Sequence, residues 1–221
     1  MMADAEDVGA MDPDDKGGIH DFSYEDARSV PRSSGPTPSQ TVGPFFAYGL
    51  TPGAYRYRLP EIHRTALAGP EVAGDRITLE GQVFDAAGVS VHDAMVELLQ
   101  ADCNGTYAWE QRNDGFTGYG RAGTGAEGPK GDTHFKFHTI KPGATLPEHA
   151  PFLTLILTMR GLLNHCVTRV YFPEDAWADD PVVLQVPQSR RATLVAEAIE
   201  PGRYRFNIRM RGDQETVFFD V

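Results

Sequence analysis

The sequence predicts an all-β fold, a single β-sandwich domain with long loops. Two observations carry that expectation. Short alternating or apolar runs recur about every 8 to 12 residues, and Gly, Pro and Asp fall between them. The central stretch from His134 to Asp175 also reads as three consecutive strands. In the first, His134 to Ile140, Phe135 and Phe137 point one way and Lys136 and His138 the other, the period of a half-buried strand. Lys141-Pro142-Gly143 ends it, since proline lacks a ladder donor and glycine permits a turn. The second, Phe152 to Met159, is apolar at nearly every position and predicts burial on both faces. Arg160-Gly161 then forms a short connection into the third, Leu162 to Phe172, as in a hairpin.

The remaining elements follow in chain order. Residues 1 to 36 hold nine acids against three bases, with Gly, Pro and Ser between them, so a disordered acidic tail is expected. From 37 to 50 the chain reads as an extended arm. Two prolines stiffen it, Gly43 allows close approach, and Phe45 and Phe46 offer anchors. Tyr48 to Gly74 carries little regular signal, with Tyr55, Tyr57 and Ile62 pinning a loop. Arg76 to Phe84 places Ile77, Leu79, Gly81 and Val83 on one face. Asp85-Ala-Ala-Gly88 turns the chain, and Ala94 to Ala101 is another strand. The glycine-rich stretch from Asp102 to Asp132 has no periodicity and is read as one long loop, a length that is usually functional or disordered. A helical turn is expected around Glu174 to Trp177. Strands follow near Thr193 to Ile199 and Arg203 to Met210, and Thr216 to Val221 closes the sheet.

Composition bounds the function. Across 221 residues, 41% hydrophobic and 10% aromatic content suffices for a sizeable core. The net charge of -11 excludes a nucleic-acid binder, which needs a basic face to displace counterions. No apolar segment is long enough to span a membrane, and the N-terminus has neither a signal peptide's basic start nor its apolar run. Cys103 and Cys166 make no disulfide framework, so a cytoplasmic, reduced protein is expected.

Local motifs do not reveal a catalytic centre. His134 and His138 share a strand face without converging as they would on a helix, and His149 and His165 fall in a loop and at a strand start. There is no His-Glu-x-x-His, Cys-x-x-Cys or His-x-His spacing, no Gly-x-Ser-x-Gly elbow and no phosphate-binding glycine loop.

Longer-range order says more. Thr37-Pro-Ser-Gln-Thr-Val-Gly-Pro-Phe45, Leu98-Leu-Gln-Ala-Asp-Cys-Asn-Gly-Thr-Tyr107, Phe137-His-Thr-Ile-Lys-Pro-Gly143, Arg169-Val-Tyr-Phe172 and Gly212-Asp-Gln-Glu-Thr-Val-Phe-Phe-Asp220 occur in one sequence. In that order they resemble the intradiol ring-cleaving dioxygenases, and within them the iron-free alpha type of a two-chain enzyme. The resemblance runs from about Thr37 to Val221. It implies a β-sandwich paired with a homologous beta chain, several pairs forming a larger assembly, with a small aromatic acid as substrate. It also implies that ferric iron is held in the partner beta chain by two tyrosines and two histidines.

Carried over position by position, the first ligand tyrosine falls on Tyr107 and the second on Thr145, while the two histidines fall on Phe152 and Thr154. An arginine opening the histidine strand becomes His149, and a glutamine upstream of the Tyr-Phe pair becomes Arg169. Phenylalanine cannot ligate, neutral threonine is a weak donor, and a hard ferric ion needs anionic or imidazole ligands. The expectation is therefore that this chain binds no metal and has no catalytic residue of its own, and that Tyr107 serves as a packed aromatic. The resemblance implies that the chain lends walls to its neighbour's cleft. Thr41 and Gly43 on the arm and Arg160 in the Met159-Arg160-Gly161 connection would be its substrate-binding residues. A guanidinium suits a substrate carrying a carboxylate and two hydroxyls. Two rival readings stay open on sequence: a free-standing dioxygenase with a rearranged site at Tyr107, His149 and His165, and a non-enzymatic binding module.

Overall fold

The alternation in the central run places one face of each strand inward, and those inward faces build the fold. The structure, a computed structural model, describes residues 39–43, 45–60, 64–109, 115–125 and 133–221. The expected tail over 1 to 36, the first residues of the arm and Ile62 lie outside the described residues.

Residues Gln40–Val221 form one compact unit. Its first sheet has the order β5-β1-β9-β8, from β1 (Arg76–Gly81), β5 (Phe135–Ile140), β8 (Glu197–Glu200) and β9 (Arg203–Arg205). Its second has the order β4-β3-β6-β7, from β3 (Met95–Leu99), β4 (Tyr119–Gly123), β6 (Phe152–Thr158) and β7 (Cys166–Tyr171), antiparallel throughout. A small parallel ladder joins β2 (Val83–Phe84) to β10 (Ile208–Arg209). Within the first sheet β1 runs antiparallel to β5 and parallel to β9.

The main core lies where Ile77, Leu79, Phe135 and Phe137 of the first sheet meet Val96, Leu98, Leu153, Leu155, Leu157 and Val170 of the second. Transfer of these side chains out of water is the dominant stabilising term. Ile77, Leu79, Gly81 and Val83 all turn inward, as their alternation predicts. Gly81 is required there by close approach: a β-carbon would sit 1.8 Å from the Phe206 carbonyl oxygen.

Several expectations need correction. The stretch Asp102 to Asp132 is not loop throughout, because β4 lies inside it. Gly120 and Gly123 conceal that strand in the sequence, yet a β-carbon at either would collide with Leu67 or Thr51. β6 is not equally buried on both faces. Leu153, Leu155 and Leu157 enter the core, while Thr154, Ile156 and Thr158 are only partly covered. The connection after β6 runs from Met159 to His165, longer than a two-residue hairpin. It does open on a tight turn in which the Leu162 amide donates to the Met159 carbonyl, with Gly161 at φ 87°.

The arm is not extended throughout, since Phe46–Leu50 forms a short helix, α1, followed by a 3-10 turn at Pro52–Tyr55. The helical turn expected at Glu174–Trp177 falls later, as a 3-10 turn at Trp177–Asp179 and a helix, α2, at Pro181–Gln185. Gln188–Leu194 is 3-10 rather than strand, so the strand expected from Thr193 starts at Glu197. The C-terminal run meets the second sheet through the bridge of Phe219 to Val167 and the Thr168 hydroxyl, which donates to the Val217 carbonyl.

Candidate functional site

Two turns bring the stretches leading into Tyr107 and Thr145 together. The Asp102 carboxylate accepts from the amides of Asn104 and Thr106, which curls the chain before Tyr107. Gly143 donates its amide to the Asp102 carbonyl at 2.8 Å, docking the Thr145 loop on that turn. Gly105 makes the close approach feasible: it has φ 82°, and a β-carbon there would lie 1.9 Å from the Ala144 oxygen. Across the second sheet Thr154 pairs in register with Arg169, and Phe152 with Tyr171.

What occupies these positions does not fit a ferric ion. The Arg169 guanidinium lies 4.0 Å over the Phe152 ring, a cation-π contact. Phe152 is buried in a satellite core with Ala150, Tyr171, Val183, Val186 and Leu194. Tyr107 stacks on Trp109 with ring centroids 4.2 Å apart and planes 11° apart, so its ring is engaged in packing. Among the described residues no group of three or more His, Cys, Asp or Glu converges as a metal site. An apolar ring capped by a fixed positive charge repels a cation where the resemblance puts ligands.

Beside this plug stands a residue that the sequence reading missed. Asp180 is fully buried, and its Oδ2 lies 3.0 Å from His149 Nδ1 while accepting from the Ala150 amide at 3.1 Å. Its Oδ1 accepts from the Tyr171 hydroxyl and from the amides of Val182 and Val183, so it caps α2. Burial alone would push its pKa up. The Val182 amide, the His149 ring and the Ala150 amide outweigh burial and bring it below the ordinary carboxylate value. Burial likewise pushes the Tyr171 phenol up to about 12, against the opposing pull of Arg169. The Asp-Pro pair at 180–181 is the signal in the sequence, an N-cap acid followed by proline at the first helical position. His149 bonds Asp180 through Nδ1, while His165 lies exposed in the β6–β7 connection.

Thr41 and Gly43 sit together on the arm, where the Gly43 amide lies 3.4 Å from Thr41 Oγ1. Gly43 has φ 70°, so its need for glycine is conformational; among the described residues nothing lies within 4 Å of where a β-carbon would sit. From the arm, rings run inward: Phe45 meets Tyr48 at 5.9 Å and Tyr48 meets Tyr55 at 4.8 Å, both edge to face. The Tyr55 hydroxyl donates to the His92 carbonyl at 2.9 Å. Next in sequence is Asp93, a buried carboxylate whose Oδ2 lies 2.7 Å from Arg160 Nε. This relay of contacts links the arm to the connection carrying Arg160. Phe45 (77%), Leu59 (58%) and Tyr57 (52%) stay exposed nearby in sequence, an unusual load of apolar surface.

His134, Lys136 and His138 line a cleft of about 340 Å³ with Arg121, Thr51 and Ala54. Its charges are largely answered within the chain. Arg121 bonds Glu97 at 2.8 Å, Lys136 lies 3.7 Å from Glu80, and His138 Nδ1 is 3.2 Å from Thr78 Oγ1.

Comparison with known proteins places this geometry. The sequence pattern of a family described as Dioxygenase matches residues 59–159. The chain is 47% identical over 195 residues to the protocatechuate 3,4-dioxygenase alpha chain of Burkholderia cepacia, covering 84% of this chain and 97% of that one. It is 32% identical over 179 residues to the beta chain of the same enzyme from the same organism, covering 71% and 73%. Among solved structures, the dioxygenase domain of a dioxygenase carbohydrate-binding protein fusion from Streptomyces sp. SirexAA-E aligns with a TM-score of 0.50. That alignment is at 25% identity and covers 79% of this chain and 97% of that one. No helix among the described residues is long and apolar enough to cross a membrane.

Proposed function

Because this chain belongs to the alpha-chain family of protocatechuate 3,4-dioxygenase, within the intradiol ring-cleaving enzymes, we propose that it acts as the iron-free subunit of such an enzyme. Its partner is a homologous beta chain, and the assembly cleaves protocatechuate with dioxygen to a carboxymuconate in aromatic catabolism in the cytoplasm. The observation that carries this reading is the plugged relic site. Phe152 and Arg169 occupy the ground where the resemblance puts ligands, so the ferric ion belongs to the partner, which supplies the ring-cleaving chemistry.

This chain contributes binding surface. The arm from 37 to 50 packs on the partner through Phe45, and Thr41 and Gly43 present a hydroxyl and a close backbone to the cleft. Arg160, half exposed, offers its guanidinium to the substrate carboxylate. None of these groups touches the reacting carbons.

Co-expression tests the proposal. The chain purified alone is expected to be colourless and iron-free. Together with a beta-type chain it is expected to give the reddish ferric-tyrosinate absorption and protocatechuate-dependent oxygen uptake. One iron per polypeptide in the chain alone overturns the reading.

A further inference from the structure

We infer that Asp93 is a positioning residue for Arg160: it anchors the inner nitrogen of the guanidinium so that the outer fork faces a bound carboxylate end-on. The inference rests on the proposed role of Arg160 as the substrate's carboxylate partner.

Asp93 is 2% exposed, and a carboxylate withdrawn from water needs a counter-charge or a full set of donors. Neither of its oxygens has a well-directed hydrogen bond among the described residues, and the Tyr55 hydroxyl, near enough to feel the Asp93 charge, donates to the His92 carbonyl. The charge is answered instead by Arg160, with Nε 2.7 Å from Oδ2. Asp93 is held in turn from behind. The Ala94 amide donates to Thr124 Oγ1, and the Thr124 hydroxyl bonds the Val91 carbonyl, fixing the turn into β3.

The asymmetry of the pair gives it direction. Asp93 is buried and Arg160 is 51% exposed in its side chain, so the carboxylate is the fixed end and the guanidinium the presented end. A guanidinium has five N–H donors in a rigid plane. Nε meets Asp93 as a close charge contact rather than a directed hydrogen bond, which leaves the N–H groups of Nη1 and Nη2 to a ligand, and no other partner of Arg160 is found among the described residues. Two parallel N–H groups at the end of a plane match a carboxylate's two oxygens. A long side chain on an exposed turn otherwise samples many rotamers, and ordering it on binding costs free energy. Asp93 removes part of that cost in advance. The raised pKa of Tyr55, caused by burial first and the Asp93 charge second, places the same negative charge beside the Tyr48–Tyr55 pair that reaches the arm.

The test uses the co-expressed assembly, with iron content measured for every variant and steady-state kinetics on protocatechuate and on catechol, its carboxylate-free analogue. Arg160→Ala is expected to raise KM for protocatechuate by roughly 10-fold or more, the scale of a hydrogen bond to a charged group, with kcat and iron unchanged. Asp93→Ala is expected to raise the same KM by roughly 3- to 10-fold, since a misplaced clamp loses part of its grip. Asp93→Asn keeps the side chain's shape without its charge and is expected to fall between Asp93→Ala and the parent chain. The double variant Asp93→Ala/Arg160→Ala should be no worse than Arg160→Ala alone, and catechol turnover should not move. A purely structural Asp93 would instead alter iron content, kcat or catechol turnover together with KM, which overturns the inference. An effect of Arg160→Ala without one of either Asp93 variant overturns it too, while leaving Arg160 in its proposed role. An unaltered KM in Arg160→Ala overturns that role itself. Should Asp93→Ala fail to assemble, the isosteric Asp93→Asn decides by the same criteria.

Discussion

At Asp180 a single carboxylate ties the start of β6 to the cap of α2 and to the phenol of Tyr171, and its partners hold it ionised below the ordinary carboxylate range. Its pH dependence follows from that direction. A carboxyl whose folded pKa is depressed contributes stability that is complete above its unfolded value, about 4, and lost as pH falls through the lower folded value. The difference in urea midpoint between the parent chain and Asp180→Asn should therefore be constant near neutral pH and shrink below pH 4. Asp180→Ala leaves the Ala150 and Val182 amides and the Tyr171 hydroxyl short of an acceptor. It should destabilise the chain by about 3 kcal/mol in urea titration, the scale of removing one partner from a buried charged pair. Arg160 and Asp93 show the limit of sequence reading at this scale. Arg160 is recognisable from its place in a turn and from the family it resembles. Asp93 is not, because only the fold reveals that an acid beside a strand start is buried and faces a guanidinium 67 positions later.

Elements were legible in proportion to their alternation. β1 and β5 declare themselves by apolar side chains at every second residue, β3 and β6 by short, nearly unbroken apolar runs. β4 does not, because Tyr-Gly-Arg-Ala-Gly puts glycine where its neighbours leave no room for a side chain. In this strand the packing constraint erases the pattern that would have betrayed it. The C-terminal strands were read as two longer runs, yet β8, β9 and β10 are four residues or fewer, and 3-10 backbone replaces the start of the first run. Short elements are decided by tertiary neighbours rather than by period. The sequence names the residues at the positions where the resemblance puts ligands, but not their packing, since the Phe152–Arg169 stack depends on strand register. The glycine at position 81 gives a test at this scale. Gly81→Ala drives a methyl into the Phe206 carbonyl, across the junction of β1 and β9, and should lower stability by about 3 kcal/mol or prevent folding, as read by thermal melting.

For the whole molecule, the consequence is dependence on a neighbour. Phe45, Tyr57 and Leu59 are more than half exposed, together with Val42 (49%), all in the segment that leads into the sandwich. Large exposed apolar groups of this kind belong to interfaces that resemble a core cut in half. The isolated chain should accordingly self-associate in light scattering as salt rises. Phe45→Asp should relieve that association while weakening pairing with the beta chain by about 2 kcal/mol, the scale of an anchor residue. The plug has a different implication. Phe152 now belongs to a satellite core, and Arg169 is held against it as well as against Tyr171. Putting a histidine back at 152 would open a packing defect, and with the guanidinium still overhead and threonines at 145 and 154 it would return no affinity for a cation. Each such change taken singly subtracts from the fold and adds nothing to ligation, so no first step toward an independent oxygenase is rewarded.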